Sequence, residues 1–351
     1  MKKTLTLVFL ALSFALSANA EPSTSPVSGM KVSTTKIADL EKLVAEGKAR
    51  KKCDGVYVLP DRFIINGKEH PKTQYGGLYS SSNSEYFLFG DTNMPSEYGS
   101  YNKLFGKNGD LLWESKTSHG RNRPSALVSN NGTVAFLYGE FDQCMLKFVD
   151  ITGQASKSIP GDSREYPFKG EIIEGFYKSE AQFANNSDIL FAFAYLASKQ
   201  FALVGIDKTG KIEYFEKVKI VSNDDMDGWY ARAYFNPKRN QVLIDSSGIG
   251  DTPPMLSYWS FPQKKIFNRK TVKDEIIYNA SFSDNDDILL LVKKKDGSKV
   301  VRRLSPAGKE KADKSDISKM DAEEQQLFKK KPLDVRSLRG CENGDKFSPC
   351  R

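Results

Sequence analysis

"FGKNGDLLWES", residues 105–115, joins a tight-turn signal to a short apolar run. Asn108-Gly109-Asp110 is a triplet that reverses a hairpin, because glycine reaches positive φ without a Cβ clash. Leu111 to Glu114 then reads as a strand. Whether this is a lone hairpin or one copy of a set decides the fold, and the rest of the chain supplies the answer. Four segments of the same kind follow: "VDITGQASKS" from Val149, "IDKTGKIEYFE" from Ile206, "SFPQKKIFNRK" from Ser260 and "LSPAGKEKA" from Leu304. Gly109, Gly153, Gly210 and Gly308 occupy the turn in four of the five.

A second motif precedes each of these hairpins. An apolar or aromatic residue is followed by a small or polar one, then turn residues, then a short apolar strand. The copies are "LYSSSNSEYFLF", "LVSNNGTVAFLY", "QFANNSDILFAF", "YFNPKRNQVLID" and "SFSDNDDILLLV", led by Tyr79, Val128, Phe183, Phe235 and Phe282. The steps between leads are 49, 55, 52 and 47 residues. A period near 50 with two hairpins per copy predicts an all-β chain built as a β-propeller, each blade a four-stranded meander that must pack on its neighbours. Five blades are visible from Tyr79 onward. "GVYVLPDRFIINGKEH", from Gly55, reads as part of a sixth, and a tail segment such as "PLDVRSL" is expected to complete it, the usual way such a ring closes. Six blades are expected, with five or seven as the alternatives.

"FSDNDDILLLV…LSPAG" and "VSNNGTVAFLY…VDITG" resemble the TolB-like and WD40-like propeller repeats, with an F-S-x-D/N-G turn before a strand and a D-x-x-G turn after it. "KNGDLLWES" resembles the G-x-L-x-W blade motif of quinoprotein-like propellers, among them the non-enzymatic outer-membrane assembly lipoprotein BamB. The resemblance covers roughly Tyr75 to Lys309 and implies a way of folding rather than a chemistry. Only one blade carries the Trp, so the tryptophan docking pattern of quinone enzymes is absent, and so is the lipid-attachment Cys of BamB.

The chain opens "MKKTLTLVFLALSFALSANAEPS": a basic start, a short apolar stretch and an Ala18-Asn19-Ala20 cleavage site. This predicts a signal peptide over 1–20, cleaved after Ala20, and a periplasmic or secreted bacterial protein. No later run of 18 apolar residues predicts a membrane span. The formal charge of +8 includes Lys2 and Lys3, and the other basic runs are scattered among acids, so a nucleic-acid partner is not expected. Residues 21–52 are read as a flexible leader and a helix, "STTKIADLEKLVAEGKARKK", capped by Thr34 or Thr35. Residues 53–312 are the propeller. Residues 313–351 are a tail with a helix, "SDISKMDAEEQQLFKKK", capped by Ser318 or Asp321, and a loop bracketed by Cys341 and Cys350. Four cysteines in an exported chain predict disulfides. Cys341 with Cys350 would leave Cys53 with Cys144, and three pairings remain open.

The sharpest local motif is "NDDMDGWYA". Asn223, Asp225, Asp227 and Gly228 fit the opening of a calcium loop, which sets alternate carboxylates around a hard cation while glycine turns the chain. Its twelfth position is Tyr234 rather than Glu, and its ninth is Ala231, so it is a weak site, and no cofactor is otherwise expected. With only His70 and His119, a His-based triad or a His-rich metal site is not expected. Position in the blade is more informative. The loops entering the innermost strand open on the channel mouth; three of them are "SHGRNRP", "EGFYKSE" and "NDDMDGWYAR". They offer Arg121, Arg123, Tyr177, Asp225, Asp227, Trp229 and Arg232, of types that dominate binding hot spots. The reading that follows is a monomeric, non-enzymatic binding or scaffold protein at the cell envelope with an envelope protein as partner. The alternative is a hydrolase or lyase acting on a glycan or small substrate at the mouth.

Overall fold

The computed structural model describes residues 36–330, apart from 73–76, 93–98, 119–124, 139–144, 160–165, 185–186, 199, 219–221, 224–227, 230–231, 237–240, 246–254, 261–263, 271 and 273–274. After a nine-residue helix, α1 (Ile37–Ala45), the chain forms six blade sheets in sequence order and one small two-stranded ladder. Blade 1 is β1 (Arg50–Cys53), β2 (Val56–Val58), β3 (Arg62–Ile65) and β4 (Lys68–Pro71). Blade 2 is β5 (Gly77–Ser80), β6 (Tyr86–Thr92), β7 (Gly99–Gly106) and β8 (Leu111–Ser118). Blade 3 is β9 (Ser125–Val128), β10 (Val134–Tyr138) and β11 (Met145–Val149), with bridges from Ala155 and Ile159 standing where a fourth strand would be. Blade 4 has five strands: β12 (Tyr166–Phe168), β13 (Glu171–Phe183), β14 (Leu190–Leu196), β15 (Phe201–Ile206) and β16 (Ile212–Val218). A two-residue ladder, β17 (Ser222–Asn223) with β18 (Gly228–Trp229), leads to blade 5: β19 (Arg232–Asn236), β20 (Gln241–Asp245), β21 (Met255–Ser260) and β22 (Lys264–Lys270). Blade 6 is β23 (Ile276–Phe282), β24 (Ile288–Lys293), β25 (Lys299–Leu304) and β26 (Glu310–Lys314), followed by α2 (Ala322–Phe328). The fold is a β-propeller of six blades, as the repeat predicts.

The opening stretch is the β7–β8 hairpin. Gly109 sits at φ 74°, and a Cβ there would lie 2.8 Å from the Ile65 carbonyl oxygen of blade 1. Only glycine satisfies both the turn and that approach. The D-x-T-G turns of blades 3 and 4 share one device. Asp150 accepts from the Thr152 amide at 2.8 Å and the Gln154 amide at 3.0 Å, and Asp207 accepts from the Thr209 and Lys211 amides at 2.9 Å each. The aromatic-led repeat is the hairpin of the first two strands. In blades 2, 3 and 6 a buried serine heads its turn: Ser81, Ser129 and Ser283 accept from the amides of Tyr86, Thr133 and Asp287 at 3.0, 2.9 and 3.1 Å.

The core explains why inner strands such as "LFAFAYL" are apolar almost throughout. A blade is covered on both faces, so alternate residues serve two different interfaces. In β6, Phe87 and Phe89 pack on blade 1, while Leu88 faces blade 3. In β14, Ala192 and Ala194 face blade 3, while Phe191 and Phe193 face blade 5. Five such interfaces join the six blades in order.

The two end faces are covered differently. The outer face of blade 1, through Tyr57, Leu59 and Ile64, is covered by α1, which buries Leu40. The outer face of blade 6, through Leu289, Leu291 and Val301, is covered by Met320 and by Leu327 of α2. Among the described residues no core cluster joins blade 6 to blade 1. Blade 1 takes all four of its strands from residues 50–71, and helices cover the outer faces of blades 1 and 6. The segment "PLDVRSL" lies outside the described residues.

Two smaller differences concern the helices. α1 ends at Ala45 because Gly47 turns at φ 71°, and residues 50–52, read as helix, begin β1. Its N-cap is Lys36, with no side-chain cap. α2 is capped by Asp321, one of the two residues expected, in a reciprocal box with Glu324.

Candidate functional site

Every strand pairs antiparallel with the next in its blade, so each blade has two unlike ends. One end carries the turns between first and second and between third and fourth strands. The other, the mouth end, receives the chain entering the first strand and the connection from second to third. β5, β9, β13, β19 and β23 neighbour one another from blade to blade, which makes them the innermost strands; in blade 4 this is β13, since β12 is an added edge.

The turn end is stitched across blades. Asn66 Nδ2 donates to the Lys107 carbonyl at 2.6 Å, and Lys68 pairs with Asp110. Asn130 Oδ1 accepts from Ser82 Oγ at 2.8 Å and from the Asn83 amide at 3.0 Å. Ser129 Oγ donates to Asp188 at 2.7 Å. These polar groups are engaged in holding blades in register.

The mouth-end residues come from three consecutive blades. Arg121 and Arg123 lie in the connection into β9, outside the described residues. Tyr177 lies within β13: "EGFYKSE", read as a loop, is strand, and 178–180 are extra residues between the pairs Tyr177–Phe193 and Ala181–Ala192. The long apolar partner β14 draws the segment into the ladder, and the excess length is taken up as a bulge. Asn223 and Trp229 lie in the ladder between blades 4 and 5, where Asn223 pairs with Gly228 and Ser222 with Trp229. Asp225 and Asp227, between those strands, are outside the described residues. Arg232 opens β19 and stands opposite Asp245, the last residue of β20.

Asp245 is the residue that sequence reading passed over. It is 1% exposed, at the mouth end of an innermost hairpin. A buried carboxylate needs a hydrogen-bonding or cationic neighbour, and Arg232 holds the facing register position. The signal was present in "QVLID", an apolar strand ending in an acid.

Other titratable groups are used in packing. Glu171, at the start of β13, is held below the usual carboxylate range by its bond to Lys217. Arg302, 7% exposed, bonds Glu275 at 2.7 Å and Asp313 at 2.8 Å. His70 lies in β4, with ring centroids 5.1 Å from Phe63 and 4.4 Å from Phe105. Burial, then the nearby Lys68 charge, pushes its pKa from 6.5 to about 4. It is a half-buried ring that stays neutral at pH 7. His119 is outside the described residues. Cys53 ends β1, half-buried, while Cys144, Cys341 and Cys350 are outside them. Among the described residues no group of three or more His, Cys, Asp or Glu side chains is arranged to hold a metal ion.

No protein family and no curated protein matches the chain. Solved structures with a similar fold include the β-propeller domain of the Trilobed protease from Pyrococcus furiosus, 10% identical over 70% of this chain and 73% of that one, with a TM-score of 0.43. TolB from Acinetobacter baumannii is 11% identical over 78% and 69%, with a TM-score of 0.34. A protein from Lactobacillus plantarum is 12% identical over 74% and 78%, with a TM-score of 0.39. At such identities the likeness concerns the fold.

Proposed function

We propose that the protein is exported by its leader, Met1 to Ala20, and works as a non-enzymatic binding or scaffold protein at the bacterial cell envelope. Its partner is an envelope protein, engaged at the mouth end of blades 3 to 5. One observation carries this reading: the connections and strands that bear Arg121, Arg123, Tyr177, Trp229 and Arg232 all enter at that end of neighbouring blades. Arginine and aromatic side chains at a protein surface supply most of the energy of protein recognition. At the opposite end Asn66, Asn130 and Ser129 are committed to bonds between blades.

The test is an affinity capture from the envelope fraction of the host with the mature chain, residues 21–351. A parallel sample carries Arg121→Ala, Arg123→Ala and Trp229→Ala together. One protein retained by the wild type and lost by the triple variant is the expected result. Equal retention by both moves the site elsewhere. No retained protein overturns the scaffold reading in favour of a hydrolase or lyase at the mouth, with Asp245 the first carboxylate to replace.

A further inference from the structure

We infer that the mouth-end edge of blade 6 is a docking surface for an anionic lipid bilayer. Lys293 closes β24, Lys299 opens β25, and the two stand directly opposite each other in the ladder. Like charges in that position repel and weaken the sheet. Both ammonium groups gather over one ring, 5.9 Å and 5.6 Å from the centroid of Tyr278. Among the described residues no carboxylate forms an ion pair with either.

The neighbouring acids among the described residues are engaged elsewhere. Glu275 and Asp313 hold Arg302. Asp296 accepts from the Ser298 amide at 2.9 Å and its hydroxyl at 2.6 Å. The acids of α2 serve the far end of the same face: Glu324 meets Arg303 at 3.0 Å and Lys314 at 2.8 Å, and Glu323 accepts from the Asp284 amide at 2.9 Å. α2 therefore cancels the positive charge where it begins and adds to it where it ends. Its last residue, Phe328, packs in the same cluster as Tyr278 and is followed by the exposed Lys329 and Lys330.

Apolar side chains stand among these lysines. Ile276 lies opposite Lys293 in the β23–β24 ladder and is 38% exposed, and Val272, just before β23, is 53% exposed. Two lysines alone would suit any phosphate. Exposed aliphatic side chains and a half-buried tyrosine ringed by ammonium groups suit a bilayer, where apolar tips enter the headgroup layer and lysines meet lipid phosphates.

The experiment is co-sedimentation of the mature chain with vesicles of mixed phosphatidylglycerol and phosphatidylcholine, against pure phosphatidylcholine, at low and high salt. The wild type is expected to partition onto the anionic vesicles and to leave them as salt rises. Lys293→Gln with Lys299→Gln should lower partitioning about 30-fold, at roughly 1 kcal/mol per lysine near such a surface. The same variant should melt no lower than wild type, because it removes a repulsion. A control pair, Lys208→Gln with Lys211→Gln, should bind as wild type, and so should the triple mouth variant, which separates this surface from the protein-binding site. The inference is overturned by absent binding to anionic vesicles, by equal loss in the control pair, or by a double variant that still binds fully. Release by millimolar inorganic phosphate, beyond what chloride achieves at matched ionic strength, would also overturn it, pointing to a soluble phosphate site.

Discussion

A histidine stacked on one phenylalanine ring and tilted against another keeps its place by staying neutral. His70, with a folded-state pKa of about 4 against an ordinary 6.5, binds its proton more readily in the unfolded chain. Stability contributed by the neutral ring is therefore complete above about pH 6.5 and drains away as pH falls towards 4. His70→Phe, which keeps the aromatic contacts with Phe63 and Phe105, should flatten the fall in urea midpoint across that window. An unchanged slope would assign the pH dependence to other groups. The sequence hid this role, because "GKEHPK" is polar throughout and reads as a turn. Burial there is imposed from blade 2, whose Phe105 comes from a strand 35 residues on. Gly109, by contrast, was legible, since the turn itself demands positive φ.

At the scale of elements, α2 is seven residues long and would not persist alone in water. Blade 6 holds it by charge as well as by Leu327. Glu324 has a fully buried side chain. Burial by itself would raise its pKa, but the Lys314 ammonium, the Asp321 amide and the Arg303 guanidinium together hold it below the ordinary 4.5. Its contribution is present above that value and lost as pH falls through the lowered one. Glu324→Gln removes the buried charge that Lys314 and Arg303 share, with Arg303 still paired to Asp287 and Asp321, and should cost about 2–4 kcal/mol in denaturant unfolding. A cost near zero would mean that apolar packing alone seats the helix. The sequence revealed the cap at Asp321 and the acidic-to-basic polarity of the helix. It could not reveal where the helix docks, because Arg303 and Lys314 read as ordinary exposed strand residues until β25 and β26 are paired.

For the whole molecule, the repeat exposed the blade count, since period and turn chemistry are local. Ring closure is not a local property. No residue in "GVYVLPDRFIINGKEH" announces that its second face meets a helix rather than a blade, and α1 reads as a helix docked on the main domain without saying on which face. The structure makes α1 a cover. A chain beginning at residue 50 exposes Tyr57, Leu59 and Ile64, all buried in the full protein. Size-exclusion with light scattering should show it associating through that face, where the full chain does not. A truncated chain that stayed monomeric with an unchanged melting temperature would show that α1 is not needed as a cover. The expected mouth residues could be chosen from the sequence only by type and by position in the repeat; Arg121, Arg123, Asp225 and Asp227 lie outside the described residues.

The helix-sealed ends also bear on how such a chain can change over generations. A ring that bites its own tail admits only those blade numbers whose wedge angles complete a full turn. Among the described residues helices, not a sixth interface, cover the two end faces of the row, so the five described interfaces impose no such sum. Duplication or loss of one unit of about 50 residues inside this row would leave both lids seated on the blades they already fit, and the row would simply lengthen or shorten.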